Sequence, residues 1–412
     1  MKQNTTYKQT ELGLIPEDWE VKKLGELGFF FKGKGVPKTS IVTEGKYKCL
    51  TYGDLYTKYD YVIKNVKSFI NDASDSQEIN FGDICIAGSG ETIEDIGKCA
   101  VFIDDKTGYA GGDIIIFRSD ENPLTLSYIL NSDLCKRQKY RLGQGHSVVH
   151  IYSSQLQNLK IPLPPLPEQK KIADCLSTWD SAIEKQSALI NALTDRKKAL
   201  MQQLLTGKKR LPGFEGEWKE VSLIELADFR RGSFPQPYGL PEWYDNENGE
   251  PFIQVYDVGD NFNLKPTTKS KISELAQVQS VFIKKGTLIV TLQGSIGKVA
   301  ITNYDAYIDR TLLLFSSFKM KVDIYFIMYQ IHNLFNIEKE KAPGGIIKTI
   351  TKEVLSNFKI KLPSFEEQTA IAEILATADR ELQLQKEKLA QLQTQKKGLM
   401  QVLLTGKKRL IN

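Results

Sequence analysis

Three histidines and five scattered cysteines are the obvious raw material for catalysis in this 412-residue chain, and their spacing makes little of it. His146, His150 and His332 contain no H-E-x-x-H helix, and no cysteine or carboxylate is placed to complete a metal site with His146 and His150. Cys49, Cys85, Cys99, Cys135 and Cys175 are odd in number and include no C-x-x-C pair. A disulfide framework or zinc site is therefore not expected, and a reducing compartment is. Gly97-Lys98 and Gly297-Lys298 are followed by Cys99 and Val299, so neither completes a phosphate loop. Gly33-Lys34-Gly35 is too short for a dinucleotide or methyl-donor loop. No Asn-Pro-Pro-aromatic or Asp-Pro-Pro-aromatic motif of an amino-methyltransferase occurs, and Glu20-Val21-Lys22 shares only a common tripeptide with nucleases. The expectation is a non-catalytic chain with no metal and no cofactor, whose chemistry belongs to a partner.

Most of the information lies in a duplication. Lys160–Leu211 and Lys359–Leu410 align without a gap at an offset of 199 (Glu168 onto Glu367), with about half the positions identical. The same offset carries Trp19 onto Trp218, Leu24 onto Leu223 and Glu26 onto Glu225. This is far longer than a solenoid repeat and describes two large copies of one unit, for which a pseudo-twofold arrangement is expected. Composition agrees with a globular protein: 41% apolar, 25% charged, net charge +5. That charge is compatible with nucleic acid without requiring it. The first 20 residues are polar, and no apolar run is long enough to cross a bilayer, so a cytoplasmic protein without a membrane partner is expected.

Each copy has a variable body and a similar tail. The bodies, roughly 20–160 and 219–359, carry short strand-like runs at Asp83–Ala87, Asp113–Phe117, Thr287–Leu292 and Thr311–Phe315, and helical stretches at Thr125–Arg137 and Ile324–Lys341. The fold class is α+β, with domains over 1–160, 161–211, 212–359 and 360–412.

The tails read as coiled coil. In the first, Ile172, Leu176, Trp179, Ile183, Gln186, Ile190, Leu193, Lys197, Leu200 and Leu204 recur in alternating steps of four and three. The second repeats the seam with Ile371, Leu375, Ala378, Leu382, Gln385, Leu389, Leu392, Lys396, Leu399 and Leu403. Ser364 with Glu367 forms a capping box, Pro167 suits a first turn, and Gly207 and Gly406 suit C-terminal caps. In an antiparallel pair Gln186 and Gln385 would meet at the centre; the alternative is a solvated seam edge. Lys197 and Lys396 are expected to reach past the seam or to meet a carboxylate on another subunit. The Lys208-Lys209-Arg210 and Lys407-Lys408-Arg409 runs are expected to complement the negative helix ends rather than grip phosphate.

Leu163–Ala173, reading L-P-P-L-P-E-Q-K-K-I-A, leads into a helix ending L-L-T-G-K-K-R at Leu204–Arg210, and the combination recurs at Leu362–Ala372 and Leu403–Arg409. With Ile15–Val21 and its echo at Trp218, this resembles the specificity subunit of a type I restriction–modification system. Ser364-Phe365 departs from the Pro-Leu of the pattern. The resemblance implies two globular target-recognition domains of mixed α/β structure joined by two long antiparallel helices, each domain reading half of a split double-stranded DNA sequence. Two modification (methyltransferase) subunits would dock on the helices and restriction subunits would join them. Those partners would hold S-adenosylmethionine, ATP and Mg.

For that role base readers belong on exposed loops, with basic residues to hold phosphate. In the first body the candidates are Ser89, Glu91 and Thr92 of the Gly88–Lys98 loop, Gln144, His146 and Ser147 of the Gly143–Ser147 loop, and Lys34 and Lys38. In the second they are Gln293, Ser295, Lys298, Lys348 and Thr349, with the cluster Arg230, Arg231 and Gln236. The alternative for each is a solvated turn residue. For the whole chain it is an architectural coiled coil with two protein-binding lobes.

Overall fold

The computed structural model describes residues 6–145, 148–341, 355–356 and 358–411. His146, Ser147, Lys348 and Thr349 lie outside them. The chain forms two compact units that divide it differently from the four sequence segments. Unit 1 comprises 1–186 and 388–412, and unit 2 comprises 187–387, so each long helix contributes to both.

The long helices span Leu166–Leu204 and Phe365–Leu403, 39 residues each. Every seam position from Ile172 to Leu204 and from Ile371 to Leu403 is buried or half-buried, whereas Leu189 and Leu384, off the seam, are exposed. Gln186 is buried and Gln385 half-buried, so neither sits at a solvated edge. Within unit 1, Ile172 and Leu176 share a core with Met400, Leu403 and Leu404. Within unit 2, Met201 and Leu204 share one with Ile371 and Leu375. In each unit the start of one helix packs on the end of the other, which is antiparallel packing.

The body of unit 1 is built on a five-stranded sheet in the order Gly28–Lys32, Ile114–Ser119, Ile84–Ala87, Cys99–Phe102, Val62–Ile63, antiparallel except for the last pair. Unit 2 repeats this as Ala227–Arg231, Leu312–Phe318, Leu288–Thr291, Val299–Ile301. A second, four-stranded mixed sheet accompanies each, with Tyr47–Leu50 parallel to Gly108–Ala110 and Glu250–Ile253 parallel to Ala306–Ile308. A two-stranded ladder closes each body at its base: Glu20–Lys23 on Lys160–Leu163, and Lys219–Ser222 on Lys359–Leu362. The variable body is thus inserted between two paired strands that lead into a long helix.

The expected strand runs are all present, and the second body's helix is Ile324–Lys341 as read. The first body differs. Instead of one helix over Thr125–Arg137 there are two, Pro123–Leu130 and Asp133–Leu142. Asn131 breaks the run by turning its amide to the Cys99 and Ser127 carbonyls, at 2.7 and 2.9 Å, and Ser132 caps the second helix. Among the described residues no helix is long and apolar enough to cross a membrane.

Candidate nucleic-acid interface

Three kinds of duplicated side-chain node hold each body to the helix pair. Glu168, 3% exposed at its side chain, accepts from Trp19 Nε1 at 2.9 Å and from Arg409 through two bonds of 2.7 Å. Glu367 does the same with Trp218 and Arg210. The arginine of each Lys-Lys-Arg run therefore reaches the start of the other long helix, not the end of its own as expected. Glu367 also departs from the capping box. Its N–H donates to Ser364 Oγ at 3.3 Å, but its carboxylate is committed to Arg210.

The neighbouring glutamines anchor the bodies. Gln169 Oε1 accepts from the Asn122 N–H, just ahead of the Pro123–Leu130 helix, and Gln368 Oε1 accepts from the Asp323 N–H ahead of Ile324–Lys341, each at 3.0 Å. In the third node Tyr128 donates to Asp180 at 2.5 Å, and Tyr329 to Asp379 at 2.7 Å. The second oxygens of these aspartates take Lys396 and Lys197. Both lysines thus find carboxylates within this chain, a correction to the expectation of a partner subunit. Burial pulls the Lys396 ammonium below its usual range against the pull of Asp180.

These nodes define which end of each sheet faces the helices. In unit 1, Gly28 pairs Ser119, and the chain continues from there to Asn122 and Gln169. The opposite ends of the same strands release the candidate loops. Lys32 pairs Ile115, Ile114 pairs Ala87 and Cys99 pairs Ile86, so loops 33–38, 88–98 and the 110–113 turn emerge together. Unit 2 repeats this. Arg231 pairs Leu313, Leu312 pairs Thr291 and Val299 pairs Val290, which brings 232–238, 292–298 and the 309–311 turn to one end. Gly33 and Gly232 let the first loop cross the turn: a Cβ there would lie 2.1 Å from the Gly111 carbonyl oxygen or 2.3 Å from that of Ile308.

The candidates divide on this frame. Lys34 and Lys38 are exposed, and Lys34 pairs with Asp75 at 2.8 Å. Glu91 and Thr92 are exposed, Thr92 donating to Asp95 at 2.9 Å. Ser89 is not on an exposed loop. It is buried in a short strand paired with Val149–His150, its Oγ 3.0 Å from His150 Nδ1. That ladder joins the 88–98 loop to the segment carrying exposed Gln144, whose backbone exchanges two hydrogen bonds with His150. In unit 2, Arg230, Arg231, Gln236, Gln293 and Ser295 are exposed. Lys298 is half-buried and held by Asp260 at 2.6 Å, as Lys98 faces Asp60 in unit 1 at 3.8 Å.

Each half of the chain, residues 16–195 and 215–394, matches the family model described as a type I restriction modification DNA specificity domain. The chain belongs to this family. A putative type I restriction enzyme MjaX specificity subunit of Methanocaldococcus jannaschii is 30% identical, the match covering 98% of this chain and 97% of the relative. The MjaVIII specificity subunit of the same organism is 29% identical over 97% and 95%. The fold is shared with the crystal structure of an S subunit from M. genitalium, at TM-score 0.58 and 16% identity over 98% and 97% of the two chains. A chain from a structure addressing complex assembly and conformational transition of the type I system gives TM-score 0.61, at 21% identity over 95% and 99%.

Sequence reasoning missed the partners of the nodes. The identical placing of Asp180 and Asp379 at offset 199 was the available signal.

Proposed function

We propose that each body of this type I specificity subunit reads one half of a split double-stranded DNA sequence, while the long helices set the gap and carry modification subunits. The observation that carries this reading is the matched geometry of the loops. In both units polar and basic loops leave the sheet at the end opposite the helix anchors, on equivalent strands, with different side chains. Phosphate-holding cations and base-edge donors and acceptors are what duplex reading needs.

Docking on the helical regions would use a groove of about 780 Å3 in unit 1, lined by cations such as Arg137 and Lys397 and by carboxylates such as Asp60 and Asp133. Methyl transfer, ATP-driven work and cleavage, with S-adenosylmethionine, ATP and Mg, belong to the modification and restriction partners, and the assembly works in the cytoplasm. Mapping methylated adenines across the genome of cells with and without this chain tests the reading. A split motif that vanishes on deletion is expected; methylation unaltered by deletion would refute it.

A further inference from the structure

Arg310 is exposed on the 309–311 turn, at the end of the unit 2 sheet where the reading loops emerge. The turn that carries it is tied down on both sides. The Asp309 N–H donates to the Ile253 carbonyl at 3.0 Å. The buried Asp309 carboxylate accepts the Thr311 N–H at 2.8 Å and the Thr311 hydroxyl.

The guanidinium itself is also held. It lies 5.2 Å from the ring centroid of Tyr238, on the neighbouring 232–238 loop. Tyr238 in turn packs on Phe234 at 4.9 Å, and Phe234 on Phe252 at 4.6 Å, so a column of rings runs from the core to this arginine. Phe234 and Phe252 are buried, and Gln254 Nε2 reaches the Tyr238 hydroxyl at 3.5 Å. An arginine resting on an aromatic face keeps its N–H donors at the rim, in one plane, for two-point recognition. Among the described residues those donors meet no acceptor, which leaves them to an incoming group. A cavity of about 300 Å3 opens beside them, lined also by Gln254, Tyr256 and Thr311.

Unit 1 has neither half of this stack. Gly112 stands at the place of Arg310, where a Cβ would meet nothing within 4 Å, and residues 33–38 include no aromatic side chain. The arrangement therefore belongs to whatever unit 2 alone must recognise. In the major groove the flat group that offers two adjacent acceptors to such a fork is guanine, through O6 and N7.

We propose that Arg310 reads a guanine in the half-sequence assigned to unit 2, with Tyr238 as the surface that orients it. The inference rests on the split-sequence reading above. The test uses the full chain with its modification partners in cells, mapping methylated motifs for wild type, Arg310→Ala and Arg310→Lys. The wild-type second half is expected to contain a G·C pair, and both variants are expected to lose about tenfold or more of the preference for it at one position. The first half and the gap persist, which reports that the chain still folds. Arg310→Lys keeps the charge but lacks the planar fork, so a lysine that restores the wild-type motif would mean a phosphate contact and overturn the proposal.

Should either variant methylate nothing, binding by the purified complexes decides. Replacing that guanine by 7-deazaguanine, which lacks the N7 acceptor, is expected to weaken wild-type binding about threefold or more and to leave Arg310→Ala indifferent. Equal weakening of both would overturn the proposal. A second half without a G·C pair, or one that both variants read unchanged, would overturn the role of Arg310 alone. Absence of any split motif in wild type would overturn the two-half reading and this inference with it.

Discussion

Arg409 lies across both carboxylate oxygens of Glu168, Nε 2.7 Å from one and a terminal nitrogen 2.7 Å from the other, although 241 residues separate them in sequence. The same guanidinium takes both oxygens of Asp18, at 2.9 and 2.7 Å. Unit 1 is thereby closed at one point where the N-terminal region, the start of the first long helix and the tail beyond the second all meet. Paired forks of this kind fix geometry as well as charge. Gly406 belongs to the same junction. Its φ is +69°, and a Cβ there would stand 2.3 Å from Pro16 Cδ.

Arg409→Ala removes the cation and leaves Glu168 buried, 3% exposed, with only the neutral donors Trp19 Nε1 and the Leu410 N–H beside it. Breaking one side of such a pair is expected to cost unit 1 about 3 kcal/mol. Arg210→Ala is expected to cost less. Arg210 holds one carboxylate rather than two, and its side chain is 30% exposed against 7% for Arg409. Denaturant midpoints of the two variants measure the difference, and equal losses would count against this account of the node.

The helices were legible because a 4-3 seam needs only local spacing, and Gly207 and Gly406 do take left-handed conformations at their ends. The loops were legible as polar segments between strands. What a polar residue pairs with was not, because Lys396 meets Asp180 only after the helices run antiparallel. Ser89 misled for a related reason. A serine beside two glycines reads as a turn, yet pairing with Val149–His150 buries it. Arg310 carried no local signal at all, since its stack on Tyr238 exists only once two separate loops meet.

Gln169 links a long helix to the body it carries, and the bond can be tested by removing its amide. Gln169→Leu leaves the Asn122 N–H without its acceptor and the Pro164 carbonyl without its donor. An unpaired group of this kind costs about 1–3 kcal/mol. The expected result is faster amide exchange in the Pro123–Leu130 helix, read by hydrogen–deuterium exchange, with the Ile324–Lys341 helix of unit 2 unaffected. The mirror variant Gln368→Leu should reverse the pattern.

Unit 2 contains a histidine that resists protonation. Burial lowers His332 to about 4, with repulsion from Lys197 and Lys339 adding to it and Asp379 opposing. The neutral ring suits the Asn336 amide, which lies 3.0 Å from Nε2. The unfolded chain binds this proton near pH 6.5, whereas the folded chain does so only near 4. Stability is therefore complete above pH 6.5 and is lost as pH falls toward 4, by on the order of 3 kcal/mol from this group. Unfolding midpoints of unit 2 followed across that window should fall more steeply for the wild type than for His332→Gln. Parallel slopes would mean that another group titrates.

If the long helices set the distance between two reading bodies, their length is the variable to change. Adding seven residues to each, at Gln186 and at Gln385, preserves the alternating seam and lengthens each rod by about 10 Å. That corresponds to roughly three base-pair steps at the axial rise of B-DNA. The methylated motif is expected to keep both half-sequences while its unspecified gap grows by about three positions. Adding seven residues to one helix alone sets the two seams out of step, and is expected to lower stability before it alters any motif. A longer pair that reads the original gap would show that spacing comes from the docked partners instead, and one that changes a half-sequence would show that the helices shape the reading loops directly.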